Sequence, residues 1–120
     1  MYNILVCDDE KDIVEALNIY LSSEGYNIIK AYNGEEAVKA VADRDVHLVL
    51  MDIMMPVMDG IAATQEIRDI ENKEHRKRLP IIAVTARAMF GDKERILENK
   101  LDDYIAKPYN LNTVVETLNK

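Results

Sequence analysis

The sequence contains a single cysteine, Cys7, and no long apolar run. One cysteine cannot form a disulfide within the chain, so we expect a protein of a reducing compartment, the cytoplasm. No stretch approaches the roughly 20 apolar residues that a membrane-spanning helix needs, and no secretory signal precedes the first apolar segment. We therefore expect no association with a membrane.

Positive charge is also scarce, because 15 Lys and Arg face 22 Asp and Glu, for a formal net charge of −7. Affinity for nucleic acids comes largely from Lys and Arg on phosphates, so we expect no direct binding of DNA or RNA. Hydrophobic residues are present in ordinary proportion, at 48%. A chain of 120 residues suffices for one domain with a buried core, and we expect a single domain over residues 1–120.

Short apolar segments alternate with amphipathic ones along the chain. Strands that are apolar throughout, separated by helices, are typical of a parallel sheet covered on both faces, so we predict an α/β fold. We predict strands at residues 3–7, 27–30, 46–51, 81–84 and 103–106. We predict helices at residues 12–24, after Asn33, and at 60–70, 88–98 and 111–119.

Local signals predict several helix ends. Gly25 suits the position just after the first helix, where a left-handed backbone is common. Asn33, followed three residues later by Glu36, predicts a capped start for the second helix. Asp12 is a suitable cap for the first helix. We interpret the polar segment 72–78, NKEHRKR, as an extended and solvated end of the third helix.

Polar residues follow four of the five predicted strands. The carboxyl ends of parallel strands share one edge of the sheet, where α/β proteins place their sites. Carboxylates gathered there repel one another, and a hard divalent cation such as Mg²⁺ removes that repulsion. A lysine and a hydroxyl at the same edge suit an oxyanion. The residues are Asp8, Asp9 and Glu10 after the first strand, Asp52 after the third, Thr85 after the fourth, and Lys107 and Pro108 after the fifth.

Each of these residues, taken alone, also has an ordinary structural explanation. Asp8 and Asp9 suit a solvated turn or a helix cap, and Asp52 suits a cap of the following turn. Thr85 is a common strand residue, and Lys107 is a common surface charge. The occurrence of all of them in order at strand ends favours a site.

The other residues that carry reactive groups are interpreted as structural. We expect Cys7 in the core, as a small apolar side chain. His47 and His75 have no partner at metal-ligand spacing, so we assign neither a function. The methionines around Asp52 are interpreted as packing residues, namely Met51, Met54, Met55 and Met58.

Four segments that lie in order at these strand ends are ILVCDDE, DIMMPVMDG, VTA and DDYIAKP. Over essentially its whole length the chain resembles the receiver domain of a two-component response regulator, and DIMMPVMDG fits that family's pattern D-x-x-M-P-x-x-x-G. The resemblance implies a doubly wound, flavodoxin-like (βα)5 sandwich with a five-stranded parallel sheet in the order 2-1-3-4-5. It also implies a phosphoryl acceptor served by a sensor histidine kinase or a histidine phosphotransfer protein, and a downstream effector or output domain. Such a domain is not an enzyme, since it catalyses only its own phosphorylation and dephosphorylation.

The resemblance further implies a role for each residue of the site. Asp52 is the phosphoacceptor, and phosphorylation changes a surface made of the fourth helix, the fifth strand and the fifth helix. The implied Mg²⁺ ligands are Asp8, Asp9, Asp52 and the backbone carbonyl of Met54. The other implied roles are contact with the phosphoryl oxygens for Thr85 and Lys107, switching for Thr85 and Tyr104, and a cis peptide bond before Pro108.

Three other functions were weighed against this one. A haloacid-dehalogenase-like phosphatase needs a second Asp two positions after Asp52, and Met54 stands there. A flavodoxin-like flavin binder needs a phosphate loop after the first strand, where Asp8 and Asp9 would repel the phosphate. A pseudo-receiver that only binds partners usually lacks one of the acids or the lysine, and none is missing here.

Overall fold

The structure is a computed structural model that describes residues 2–53, 55, 58–85 and 101–106; of Thr85, Asp103, Tyr104 and Ala106 it describes the backbone. The predicted helices at 88–98 and 111–119 lie outside the described residues. The strands are β1 Asn3–Cys7, β2 Asn27–Ala31, β3 Leu48–Asp52, β4 Ile81–Thr85 and β5 Asp103–Ala106. The described helices are α1 Lys11–Ser23, α2 Gly34–Asp43 and α3 Gly60–Glu74.

The strands form one parallel sheet in the order β2-β1-β3-β4-β5. The chain runs from β1 to one side and then returns to the other side at β3, so the order reverses between these two strands. In the register, Cys7 lies opposite Met51, and Asp52 lies opposite Val84. The predicted doubly wound α/β fold is confirmed, and the crevice beyond β1 and β3 is the position where such folds bind ligands.

Two apolar layers cover the sheet, because successive strand residues point to opposite faces. One layer combines Ile4, Val6 and Leu50 with the buried face of α1, made by Val14, Leu17 and Leu21. The other layer combines Leu5, Val49 and Met51 with Ala37 and Val41 of α2 and Ala63 and Ile67 of α3. The described helices therefore lie on both faces of the sheet, as predicted, and none of them is long and apolar enough to cross a membrane.

The helix ends follow the local signals with one exception. Gly25 has φ 96° after α1, and the Gly25 and Tyr26 amides donate to Ser22 and Leu21, which is a Schellman motif. The Asn33 side chain caps α2 by accepting from the Glu36 amide at 2.9 Å. The cap assigned to Asp12 is wrong: Glu10 occupies the N-cap of α1 without a side-chain bond, and Asp12 lies in the first turn.

The segment after α3 is bound to the protein more closely than its polarity suggested. The helix continues to Glu74 and ends at His75, which has a left-handed backbone with φ 52°. Arg76 then donates to the carbonyl oxygens of Val41 at 2.8 Å and Ala42 at 3.3 Å. Because α2 has no basic residue in its own last turn, Arg76 supplies the charge that its free carbonyls favour.

A buried ion pair lies within α3, between Arg68 and Glu71. Arg68 is 4% exposed and Glu71 is 7% exposed. The Arg68 guanidinium donates to both oxygens of Glu71, at 3.0 and 2.9 Å, and to the Leu79 carbonyl at 2.8 Å. No role for Arg68 followed from the sequence, so this pair is a finding of the structure.

Candidate functional site

Three carboxylates converge at the crevice between β1 and β3. Asp8 and Asp9 follow β1, and Asp52 is the last residue of β3, one position further into the strand than predicted. One carboxylate oxygen of each residue lies within 4.8 Å of the others. Asp8 and Asp52 are each 3% exposed, while Asp9 is exposed. The sequence-based expectation that these acids share one edge of the sheet is therefore met.

Two hydrogen bonds fix Asp8 at the end of β1. The Asp8 amide donates to the Ala31 carbonyl at 3.1 Å, which continues the pairing of β1 with β2 beyond the strand. Asp8 Oδ1 accepts from the Glu10 amide at 2.9 Å, so Asp8 also forms the turn that leads into α1. Asp8 is therefore a turn residue, as one explanation held, and it also belongs to the carboxylate cluster.

The chain after Asp52 turns back tightly against the end of β3. The Ile53 amide donates to the Val84 carbonyl at 3.2 Å, and the Gly60 amide donates to the Ile53 carbonyl at 3.0 Å. A Cβ atom on Gly60 would overlap the Asp52 carbonyl oxygen and lie 2.9 Å from Ile53 Cα. Only glycine allows α3 to begin so close to the backbone of Asp52.

Cys7 is the last residue of β1, directly before Asp8, and the nearby carboxylates affect its thiol. Its thiol pKa is raised well above the ordinary value, first by burial and then by the nearby carboxylates of Asp52 and Asp8. The thiol is therefore protonated at neutral pH, as is typical of a buried structural cysteine. Cys7 is buried in the apolar core, so the structural interpretation of this residue is confirmed.

The chemistry of the cluster suits a hard divalent cation. Its donors are carboxylate oxygens, which Mg²⁺ prefers, whereas the thiolate and imidazole ligands typical of zinc are missing from the described part of the cluster. Two of the three carboxylates are buried, where like charges close together repel strongly. A divalent cation bound by Asp8, Asp9 and Asp52 would offset two of the three negative charges, so the residues fit Mg²⁺.

The other predicted site residues are described only in part. The backbone of Thr85 ends β4 at the same edge as Asp52, and the backbone of Tyr104 lies in β5 opposite Ala83. Met54, Lys107 and Pro108 lie outside the described residues, so the roles of these three stay predictions. Met51 and Met55 are buried in the core, as expected for packing residues.

Sequence analysis missed two glycines beside the site. Gly60 had been used only as the start of a helix, and Gly34 had been given no role. A signal was present, because each glycine directly follows a capping residue, Asn33 or Asp59, at a position where most residues are better helix formers. A glycine at such a position indicates that another part of the backbone comes close.

Comparison with known proteins points to one protein family. The family model described as "Response regulator receiver domain" matches residues 4–119. The chain is 38% identical over 121 residues to hybrid signal transduction histidine kinase I of Dictyostelium discoideum, covering 97% of this chain and 7% of that protein. It is 40% identical over 107 residues to response regulator GtcR of Aneurinibacillus migulanus, covering 89% of this chain and 42% of that protein. The chain thus spans less than half the length of these curated relatives.

Among solved structures, the chain is similar to the receiver domain of a sensor histidine kinase from Pseudomonas aeruginosa, with 36% identity and a TM-score of 0.81. The match covers 98% of this chain and 93% of that one. That structure has a magnesium ion coordinated in its active site cleft.

Proposed function

This chain belongs to the response regulator receiver domain family, and on that basis we propose that it accepts a phosphoryl group on Asp52 in a two-component or phosphorelay pathway. The observation that carries the proposal is the convergence of the oxygens of Asp8, Asp9 and Asp52 within 4.8 Å at the carboxyl edge of the sheet. A receiver domain is a phosphoacceptor and not a conventional enzyme. The chemistry at Asp52 would therefore be self-catalysed.

The proposed metal is Mg²⁺, held by the carboxylates of Asp8, Asp9 and Asp52 and by the backbone carbonyl of Met54. The magnesium ion in the similar Pseudomonas receiver domain and the hard oxygen donors of this cluster support the assignment. When bound, Mg²⁺ would neutralise negative charge on the phosphoryl oxygens.

In the proposed reaction, Asp52 is the nucleophile. One carboxylate oxygen of Asp52 attacks the phosphorus of the donor and forms an O–P bond. The bond between phosphorus and the donor breaks, and its electron pair leaves with the donor. Lys107 contributes positive charge to the phosphoryl oxygens, and the Thr85 hydroxyl donates to one of them.

The proposed output is a change of surface. Once Thr85 donates to the phosphoryl group, space is released for Tyr104 to turn inward, which biases the surface formed by the fourth helix, β5 and the fifth helix. We also propose a cis peptide bond before Pro108. The proposed partners are a sensor histidine kinase or histidine phosphotransfer protein as donor, and an effector or output domain on the switching surface. The proposed location is the cytoplasm, which suits a chain with one cysteine.

The test is the intact mass of the protein after incubation with acetyl phosphate and Mg²⁺. We expect a gain of one phosphoryl group, lost with EDTA and lost in Asp52→Asn, which keeps the size of the side chain. Circular dichroism of the variant serves as the control for folding. Failure of the folded wild-type protein to gain mass from acetyl phosphate or from any histidine phosphotransfer donor would overturn the proposal.

A further inference from the structure

The amino end of α2 lies against the segment that follows Asp52. The Gly34 amide donates to the Met58 carbonyl at 3.1 Å, which links the first residue of α2 to the loop between β3 and α3. A Cβ atom on Gly34 would overlap that carbonyl oxygen and would lie 2.8 Å from Met58 Cγ. No side chain larger than hydrogen fits at Gly34 unless the Met58 backbone moves.

A second contact joins the same two segments beneath the acids. The Cys7 thiol lies 3.2 Å from the Asn33 carbonyl oxygen and 3.5 Å from the Met55 sulfur. Asn33 caps α2, and Met55 is three residues beyond Asp52. The start of α2 and the loop after Asp52 are therefore linked at two points, through Cys7 at Asn33 and through Met58 at Gly34.

The ends of this loop are fixed by other bonds. The Ile53 and Gly60 amides anchor it to Val84 and to Ile53 itself. The loop begins at Ile53, directly after Asp52, whose carboxylate is a proposed ligand of the metal. A displacement of Met55 or Met58 would therefore act on the backbone that carries that carboxylate.

We infer that Gly34 is a positioning residue for the metal site, acting through its backbone contact with Met58. This inference rests on the proposed function, because it concerns the same metal. Gly34 touches neither the carboxylates nor a phosphoryl group, so its effect is on where the loop lies. Changes to residues that orient metal ligands without binding the metal typically weaken metal affinity about tenfold or more.

The experiment compares Gly34→Ala with Gly25→Ala, using isothermal titration calorimetry with Mg²⁺ and urea denaturation. Alanine is the better helix former, so a loss in Gly34→Ala cannot come from helix propensity. We expect Gly34→Ala to weaken Mg²⁺ binding about tenfold. Gly25 has φ 96° and open space around it, so Gly25→Ala should lower stability through backbone strain and leave Mg²⁺ affinity unchanged.

A second measurement uses the wild-type protein and holds even if Gly34→Ala does not fold. Coupling between two events is reciprocal, so Mg²⁺ must strengthen the Gly34–Met58 hydrogen bond if that bond favours Mg²⁺. Hydrogen exchange at the Gly34 amide should slow when Mg²⁺ is saturating, while exchange at the Gly25 amide should not change.

The outcomes separate this inference from the proposed function. If the wild-type protein binds Mg²⁺ but folded Gly34→Ala binds it equally well, or if exchange at Gly34 is indifferent to Mg²⁺, the inference alone is overturned. If the wild-type protein binds no Mg²⁺, the proposed function is overturned and the inference with it.

Discussion

The buried guanidinium of Arg68 on α3 lies 2.8 Å from the carboxylate of Asp102, the residue that directly precedes β5. The same Asp102 oxygen accepts from the Ile81 amide at 2.8 Å, and the Asp102 amide donates to the Ile81 carbonyl. Arg68 also binds Glu71, so one cation joins two acids from different parts of the chain. This network ties α3 to the starts of β4 and β5, at the end of the sheet opposite the carboxylate cluster.

Replacement of Arg68 by methionine should be strongly destabilising. Met fills a similar volume but leaves Glu71 and Asp102 without their shared cation, and breaking a buried ion pair in this way costs about 3–5 kcal/mol. The measurement is the free energy of unfolding in urea. Arg78→Met is the matched control: Arg78 also binds Asp102 but its side chain is 55% exposed, so its loss should cost about 1 kcal/mol or less. Equal costs for the two variants would contradict this account.

Replacement of Asp9 by asparagine should stabilise the protein without metal and weaken its response to metal. The change removes one of three like charges that lie within 4.8 Å, and relief of that repulsion is worth about 1 kcal/mol. Saturating Mg²⁺, at about 100 times its dissociation constant, should add about 2.7 kcal/mol to the wild-type protein. The gain should be much smaller in Asp9→Asn.

Thermal or urea unfolding with and without Mg²⁺ measures both effects. Asp69→Asn is the control, because Asp69 is exposed on α3 and lies outside the cluster. Stabilisation by Mg²⁺ that is as large in Asp9→Asn as in the wild-type protein would show that Asp9 is no ligand.

Stability should fall in alkaline solution because of Cys7. Burial raises the pKa of this thiol, so the native state keeps its proton at a pH where the unfolded thiol, with a pKa of about 8.5, has lost it. The unfolded state then binds fewer protons, and the free energy of unfolding decreases as pH rises above that value. Below that pH both states keep the thiol proton, so the contribution of Cys7 to the free energy of unfolding is constant.

The measurement is urea denaturation of the wild-type protein and Cys7→Ala from about pH 7 to about pH 10, a range that spans the ordinary thiol pKa. The stability advantage of the wild-type protein should shrink toward the alkaline end. The native thiol should also react slowly with a disulfide reagent throughout. Parallel pH profiles for the two proteins would mean that the Cys7 pKa is not raised.

Replacement of Asn33 by alanine should cost about 1 kcal/mol, the usual value for a lost N-cap. The Asn33 side chain accepts from the Glu36 amide at 2.9 Å, and alanine leaves that donor without its partner. Asn33→Asp keeps an acceptor at the cap and should stay close to the wild-type protein in urea denaturation. A loss of similar size in both variants would point to another role for Asn33.

Much of this fold could be predicted because its signals are local. The range predicted for β5 agrees with the observed Asp103–Ala106, and α1 differs by one residue at each end, since apolar periodicity is a property of neighbouring residues. The error at Asp12 has a physical cause. Asp8 binds the Glu10 amide and makes Glu10 the first capping position, whatever the merit of Asp12 as a cap.

The contacts that could not be predicted join distant parts of the chain. Segment 72–78 is exposed, as its polarity predicted, yet Arg76 also binds the end of α2, more than thirty positions earlier. The local signal at Gly34 does not identify Met58 as the residue whose backbone lies against it. Such contacts depend on how helices pack on the sheet, which no single segment encodes.

By itself, the sequence determined that acids lie at the ends of the first and third strands, because the position of a strand and the types of its residues both depend on neighbouring residues. The tertiary structure alone decided that β1 and β3 are neighbours and that the oxygens of Asp8, Asp9 and Asp52 lie within 4.8 Å. The physical reason is that strand pairing joins residues more than forty positions apart. Tertiary packing likewise brings the Arg68 guanidinium to the Asp102 carboxylate, 34 positions later in the chain.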